Sequence, residues 1–133
     1  MTTKFEVERV KEVDGKLKAE KLTIELASPP FKLKKRIYQC KWDYAEKIKG
    51  AKERIDASPT NYKKEDYDLV VDTTIAMARA YNEEIVKLCI NDAVKTADDM
   101  EGIGEEYLAQ MRTWLDQKLG IVEDKSKEGF TKT

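Results

Sequence analysis

KEDYDLVVDTTIAMARAYNEEIVKLCINDAVK, residues 64–95, is the stretch on which the fold turns. Tyr67, Val70, Val71, Thr74, Ile75, Ala78, Tyr81, Ile85, Leu88 and Cys89 fall three and four apart, the spacing of one helical face. Val86 and Ile90 widen that face. An apolar face this broad on a segment this long predicts a helix buried on more than one side. The rest of the chain reads as elements packed around it.

Downstream, Thr96 can cap a short turn with Asp99 reaching back, and Gly102 can end it. Gly104 then precedes a second amphipathic run carrying Tyr107, Leu108, Met111, Leu115 and Leu119 on one face, with Trp114 beside them. Glu105 and Glu106 favour the positive end of that helix, and Gly120 suits its C-cap.

Upstream, Asp56-Ala57-Ser58-Pro59-Thr60-Asn61 is a turn cluster. Before it, Leu33, Ile37, Tyr44 and Ile48 recur along one helical face, widened by Cys40 and Ala45. Ser28-Pro29-Pro30 offers this helix a cap and first-turn prolines, and Gly50 a place to end or fray. The face opposite the apolar stripe is expected to be cationic: Lys32, Lys34, Lys35, Arg36, Lys41, Lys47, Lys49, Lys52 and Arg54.

Residues 5–26 alternate in character around Asp14-Gly15, a pair suited to the positive φ angles of a type I′ turn. Phe5 and Val7 alternate with glutamates, and Leu22, Ile24 and Leu26 with Lys21, Thr23 and Glu25. Val7, Val10 and Val13 lie three apart, which also admits a bulge or a short helix capped by Thr3; the hairpin is the reading taken. The predicted fold is mainly α with a short N-terminal β-hairpin (α+β), a helical bundle around a long central helix. Residues 1–120 form one domain, and 121–133 are expected to be a flexible tail.

Composition narrows the function. The 133 residues balance 25 basic against 26 acidic side chains, so a globally basic nucleic-acid binder is not indicated. With no histidine, Ser-His-Asp and Cys-His catalysis and histidine-bearing metal centres are out of reach. Neither a GxxxxGK[ST] loop nor a GxGxxG fingerprint occurs. No apolar run approaches a membrane span, and the charged N-terminus lacks a signal sequence, so a cytoplasmic protein without membrane partners is expected. Cys40 and Cys89 then read as reduced, partly buried thiols.

Two clusters invite a chemical reading. Asp98, Asp99, Glu101, Glu105 and Glu106 surround Gly102 and Gly104, yet neither glycine can serve as the sixth position of a calcium loop. Taking Gly102 puts Ala97 first and Leu108 twelfth; taking Gly104 puts Ile103 fifth and Gln110 twelfth. The acids read instead as a corner between helices, and no metal, cofactor or catalytic site is assigned. Segment 32–54 carries nine basic and three acidic residues, whereas 92–124 carries three basic and nine acidic. That asymmetry suits internal packing, head-to-tail self-association or an external polyanion. Lys34, Lys35, Arg36, Tyr38, Trp42, Tyr81 and Trp114 are the candidate partner-binding residues, although tyrosine and tryptophan at helical spacing also suit a core.

The layout of hairpin, basic helix, turn, long helix, acidic turn and last helix resembles the tail assembly chaperones of long-tailed bacteriophages. The resemblance is carried by YDLVVDTTIAMARAYNEEIVKLCINDAVKTADDMEGIGEEYLAQMRTWLDQKLG, residues 67–120. In that family a long helix is likewise followed by a Thr-Asp-Asp-rich turn and a final helix. The resemblance implies a small cytoplasmic, largely helical protein without catalysis, often oligomeric. It would bind the tape-measure protein, keep it soluble and help tail-tube subunits assemble around it. Many members are also made as a longer form by ribosomal frameshifting. The alternative is a small nucleic-acid-binding protein using the basic helix 32–54.

Overall fold

A computed structural model describes residues 1–121. Two antiparallel strands open the chain, β1 (Thr2–Val13) and β2 (Lys16–Ala27). Asp14 and Gly15 take φ values of 53° and 76°, as a type I′ turn requires. Pairing runs unbroken from Val13↔Lys16 to Thr2↔Ala27, so residues 5–13 are strand, with neither bulge nor short helix. One face carries Phe5, Val7, Leu22, Ile24 and Leu26 towards the core. The other sets Lys4 opposite Glu25 and Glu8 opposite Lys21.

The first helix, α1, spans Leu33–Ala57. Ser28 does not cap it: its hydroxyl donates to the Met1 carbonyl. The chain first makes a turn, with the Leu33 and Lys34 N–H groups donating to the carbonyls of Pro30 and Phe31. Nor does the helix stop at Gly50, where an added Cβ would meet only the movable guanidinium of Arg54. After a turn at Ser58, α2 (Lys64–Lys87) returns antiparallel to α1. Near the turn, Arg54 donates two hydrogen bonds, of 2.9 and 2.8 Å, to the buried Asp66 carboxylate.

The central helix was expected to reach Lys95, and here the structure corrects the sequence reading: α2 ends at Lys87. Beyond it the backbone serves as a partial third strand. The Leu88 carbonyl accepts the Ala27 N–H at 2.8 Å, and the Ile90 N–H donates to Glu25 at 2.9 Å. The Asn91 side chain accepts the Glu25 N–H and donates to the Thr23 carbonyl. These bonds satisfy an otherwise open strand edge, which continued helix could not do. A 3-10 turn (Ala97–Met100) and α3 (Glu105–Lys118) follow.

At the corner between them, the Gly102 carbonyl accepts the Val10 N–H at 3.0 Å on the far edge of β1. Trp114 of α3 packs edge-on against Phe5, 5.7 Å between ring centroids, and its N–H donates to the Thr3 hydroxyl. Gly120 ends the helix at φ 70°. Ile121, the first residue of the expected tail, is buried; the rest of that tail, 122–133, lies outside the described residues.

The protein is thus α+β and mainly helical, with one core shared by the hairpin, the start of α1, the end of α2, the 3-10 turn and α3. Ile24, Leu26, Ile37, Ile85, Met100, Met111 and Leu115 are its fully enclosed side chains. Ile48 and Ala51 of α1 and Thr73 of α2 are buried outside that core, where the two helices continue beyond it.

Gly102 joins these elements most tightly. Its φ is 90°, and a Cβ there would lie 2.4 Å from the Val10 carbonyl oxygen. Gly102→Ala is therefore expected to cost about 3 kcal/mol, from left-handed strain plus displacement of β1. Gly15→Ala, with positive φ but open space, should cost about 1 kcal/mol. Urea denaturation of both variants checks the order, and equal losses would show that the contact with β1 is unimportant.

Candidate functional site

The seven candidate residues separate into three environments. Lys34, Lys35, Tyr38 and Trp42 lie together on the outward side of the first half of α1. Tyr38 and Trp42, one helical turn apart, form its ridge. The ridge extends back beyond the helix to Phe31, which was not among the candidate residues. Phe31, in the turn before the helix, is 78% exposed, and Trp42 is 65% exposed. Lys34 Nζ lies 5.4 Å from the Phe31 ring centroid and 5.8 Å from that of Tyr38, linking the aromatics through cation–π contacts. The spacing Phe31-x-x-Lys34-x-x-x-Tyr38-x-x-x-Trp42 holds this signal, although Phe31 lies before the helix and outside its apolar stripe.

Arg36 falls on another flank and forms a 3.3 Å ion pair with Glu84 of α2. Tyr81 and Trp114 are in the interior. The Tyr81 hydroxyl donates to Asp116 at 2.9 Å while Lys41 sits over its ring. Burial, and then the Asp116 charge, raise the phenol well above its ordinary pKa, so it remains a hydrogen-bond donor.

The expected single cationic face is also redistributed. By helical period, Lys34, Lys41 and Lys52 share one flank, and Arg36, Lys47 and Arg54 the other. Lys35 and Lys49 stand on the crest among Glu46 and Glu53. Arg36, Lys41 and Arg54 are engaged internally by Glu84, Asp116 and Asp66. The stretch before Asp43 is the longest of the helix to present lysine without an interspersed carboxylate.

Two further surfaces flank the α1–α2 pair. An open groove of about 470 Å³ runs between the helices, lined by Cys40, Tyr44, Thr73, Ala76, Met77 and Ala80 among others. Burial, reinforced by Asp43, pushes the Cys40 thiol up in pKa, which keeps it neutral and a poor nucleophile. On the outer side of α2, Tyr67, Val71 and Ile75 form a second apolar stripe. The sequence reading placed them on a buried face, yet Ile75 is 62% exposed, Tyr67 is exposed and Val71 is half-buried. The shared core takes Tyr81, Ile85 and Leu88 but leaves these earlier residues out.

The acidic corner is structural in every contact described. Asp99 Oδ2 accepts the N–H groups of Lys95 and Thr96 at 2.7 and 3.0 Å, which holds its carboxyl below the usual range. Asp98 and Glu101 pair with Arg79 at 2.8 and 3.2 Å, and Glu105 pairs with Arg112. Among the described residues no three thiol or carboxylate side chains converge as a metal site, and no helix is long and apolar enough to cross a membrane. Comparisons with protein-family models, curated proteins and solved structures find no match.

Acid should loosen this framework in a defined window. The carboxyls of Asp66, Glu20 and Asp99 are lowered by hydrogen bonds from Arg54, from Arg9 and from backbone N–H groups respectively. Groups depressed in the folded state contribute stability that is complete above the unfolded pKa of about 4 and disappears as pH falls through the folded values. The thermal midpoint should therefore hold from neutral pH to about 5 and drop below 4. Asp66→Asn should flatten part of that drop and lower the thermal midpoint only slightly at neutral pH, because Arg54 is largely exposed and solvent screens the pair. An unchanged acid profile in this variant would remove Asp66 from the account.

Proposed function

We propose that this chain is a non-enzymatic assembly factor that binds another protein through the α1–α2 helix pair, with the Phe31–Tyr38–Trp42 ridge as its principal contact. The exposure of three large aromatics in one row carries this reading. Phe5, Tyr81 and Trp114 are enclosed or packed against the core, whereas the ridge leaves its rings in water. Tryptophan and tyrosine dominate the energetics of protein interfaces because they remove large apolar areas from water at low entropic cost. Flanking lysines favour a partner that is apolar and acidic. The neighbouring groove offers a helix-sized apolar channel.

The resemblance of residues 67–120 to phage tail assembly chaperones supplies a specific version. In the host cytoplasm, the chain would hold an aggregation-prone tape-measure protein during tail assembly. A gene with no phage tail genes around it removes that version and leaves protein binding intact. Where a tape-measure gene adjoins it, co-expression should keep the tape-measure protein soluble. Trp42→Ala should weaken capture by about 2 kcal/mol, roughly 30-fold, with the thermal midpoint preserved. Full capture by Trp42→Ala and Tyr38→Ala alike would eliminate the ridge as the contact.

A second reading rests on Lys34 lying over both Phe31 and Tyr38. Alternating rings and ammonium groups can stack the bases of single-stranded nucleic acid and track its phosphates. Titration with single-stranded DNA and RNA across a salt series tests it; absence of binding at low salt rejects it.

A further inference from the structure

We infer that the occupant of the α1 ridge is a second copy of this chain, seated on it through the outer stripe of α2. This rests on the reading of the ridge as a protein contact, and it names the partner. Among the described residues two apolar rows are unpartnered, and their borders carry opposite charge. Residues 31–42 hold no carboxylate, and Lys32, Lys34 and Lys35 give the ridge its positive border, while Arg36 and Lys41 are engaged by Glu84 and Asp116. The row Tyr67–Val71–Ile75 is bordered by Asp68 and Asp72, with Lys64 at its first turn loosely paired to Asp68 at 4.0 Å. Beyond them Glu83, Asp98 and Glu101 gather around the single cation Arg79.

The rows also match in form. Tyr38 and Trp42 are four residues apart, as are Tyr67, Val71 and Ile75, so both are i±4 ridges able to interdigitate as packed helices do. At about 1.5 Å per residue, the two rows are roughly 16 and 12 Å long. Tyr62 stacks on Tyr67 at 6.2 Å and extends the α2 row towards the turn. Within one molecule the contact cannot form, because each row points away from the other helix of its own pair. A different surface is used on each side, so every copy can both receive and supply a contact. Apolar burial provides the driving force, and the lysine and carboxylate borders select the pairing.

The experiment uses sedimentation velocity on the full chain over a concentration series, at low and high salt. Wild type should exceed monomer mass as concentration rises and fall back as salt screens the borders. Trp42→Glu places a negative charge on the ridge facing acidic residues, and Ile75→Lys a positive charge on the stripe facing lysines. Each variant alone should stay monomeric at concentrations at least 30-fold above the wild-type midpoint, with unchanged circular dichroism. Mixed together, they should form a 1:1 complex, because each retains the surface the other lacks.

A wild type that remains monomeric throughout overturns the inference, as does a mixture that fails to associate. If Trp42→Glu is monomeric while Ile75→Lys still assembles, the ridge binds protein but its occupant is not the α2 stripe. If Trp42→Glu neither reduces assembly nor weakens capture of a co-expressed partner, the reading of the ridge fails as well.

Discussion

The hydrogen bonds that Leu88, Ile90 and Asn91 make with β2, and the one Gly102 makes with β1, close a sheet that could not stand alone. A two-stranded hairpin is marginal in water, with two unpaired edges and one apolar face to cover. In this protein the later half of the chain supplies all three closures. Residues 88–91 lie along the outer edge of β2, and the 102–103 corner meets β1 at Val10 and Arg9. Trp114 and Leu115 help to close the apolar face from α3. Arg9 reinforces the arrangement from within. It is 8% exposed and joins β1, β2 and the 3-10 turn through Glu20 and the Asp99 carbonyl.

That requirement explains why α2 is shorter than its own periodicity. Leu88, Cys89 and Ile90 continue the apolar spacing of a helix, but their backbone groups are worth more on the strand edge than in another helical turn. The information that ends the helix lies in Thr23, Glu25 and Ala27, more than sixty residues away in the chain. Asp92, at φ 58°, then turns the backbone towards the acidic corner. Features set by local chemistry were legible without that knowledge. Asp14-Gly15 needs positive φ at both positions, Asp99 reaches back to the Thr96 N–H, and Gly120 ends α3.

The candidate surface was legible in part for the same reason. Charge counts and aromatic spacing identify Lys34, Lys35, Tyr38 and Trp42 as a group because they lie on adjacent turns of one helix. They do not reveal that Arg36, Lys41 and Arg54 are drawn into pairs with residues of other elements. They equally hide that Tyr67 and Ile75 outrun their cover, since both fit the same helical face as Tyr81 and Ile85. The reach of α3 and of the 3-10 turn decides which part of that face is enclosed. The free α2 row therefore arises from a helix pair longer than the core it grows from, whereas the α1 ridge is free because it lies on the side of α1 opposite the buried Leu33 and Ile37.

The chain's two tryptophans occupy opposite worlds. Trp114 is held by Phe5 and Thr3 at the junction of sheet and α3, while Trp42 stands in solvent. Tryptophan fluorescence, excited selectively over the six tyrosines, is consequently a sum of two reporters. A water-soluble quencher addresses Trp42 and leaves Trp114 bright, and a blue shift without change in Trp114 signals coverage of the α1 ridge. The fold thus carries its own optical separation of association from unfolding.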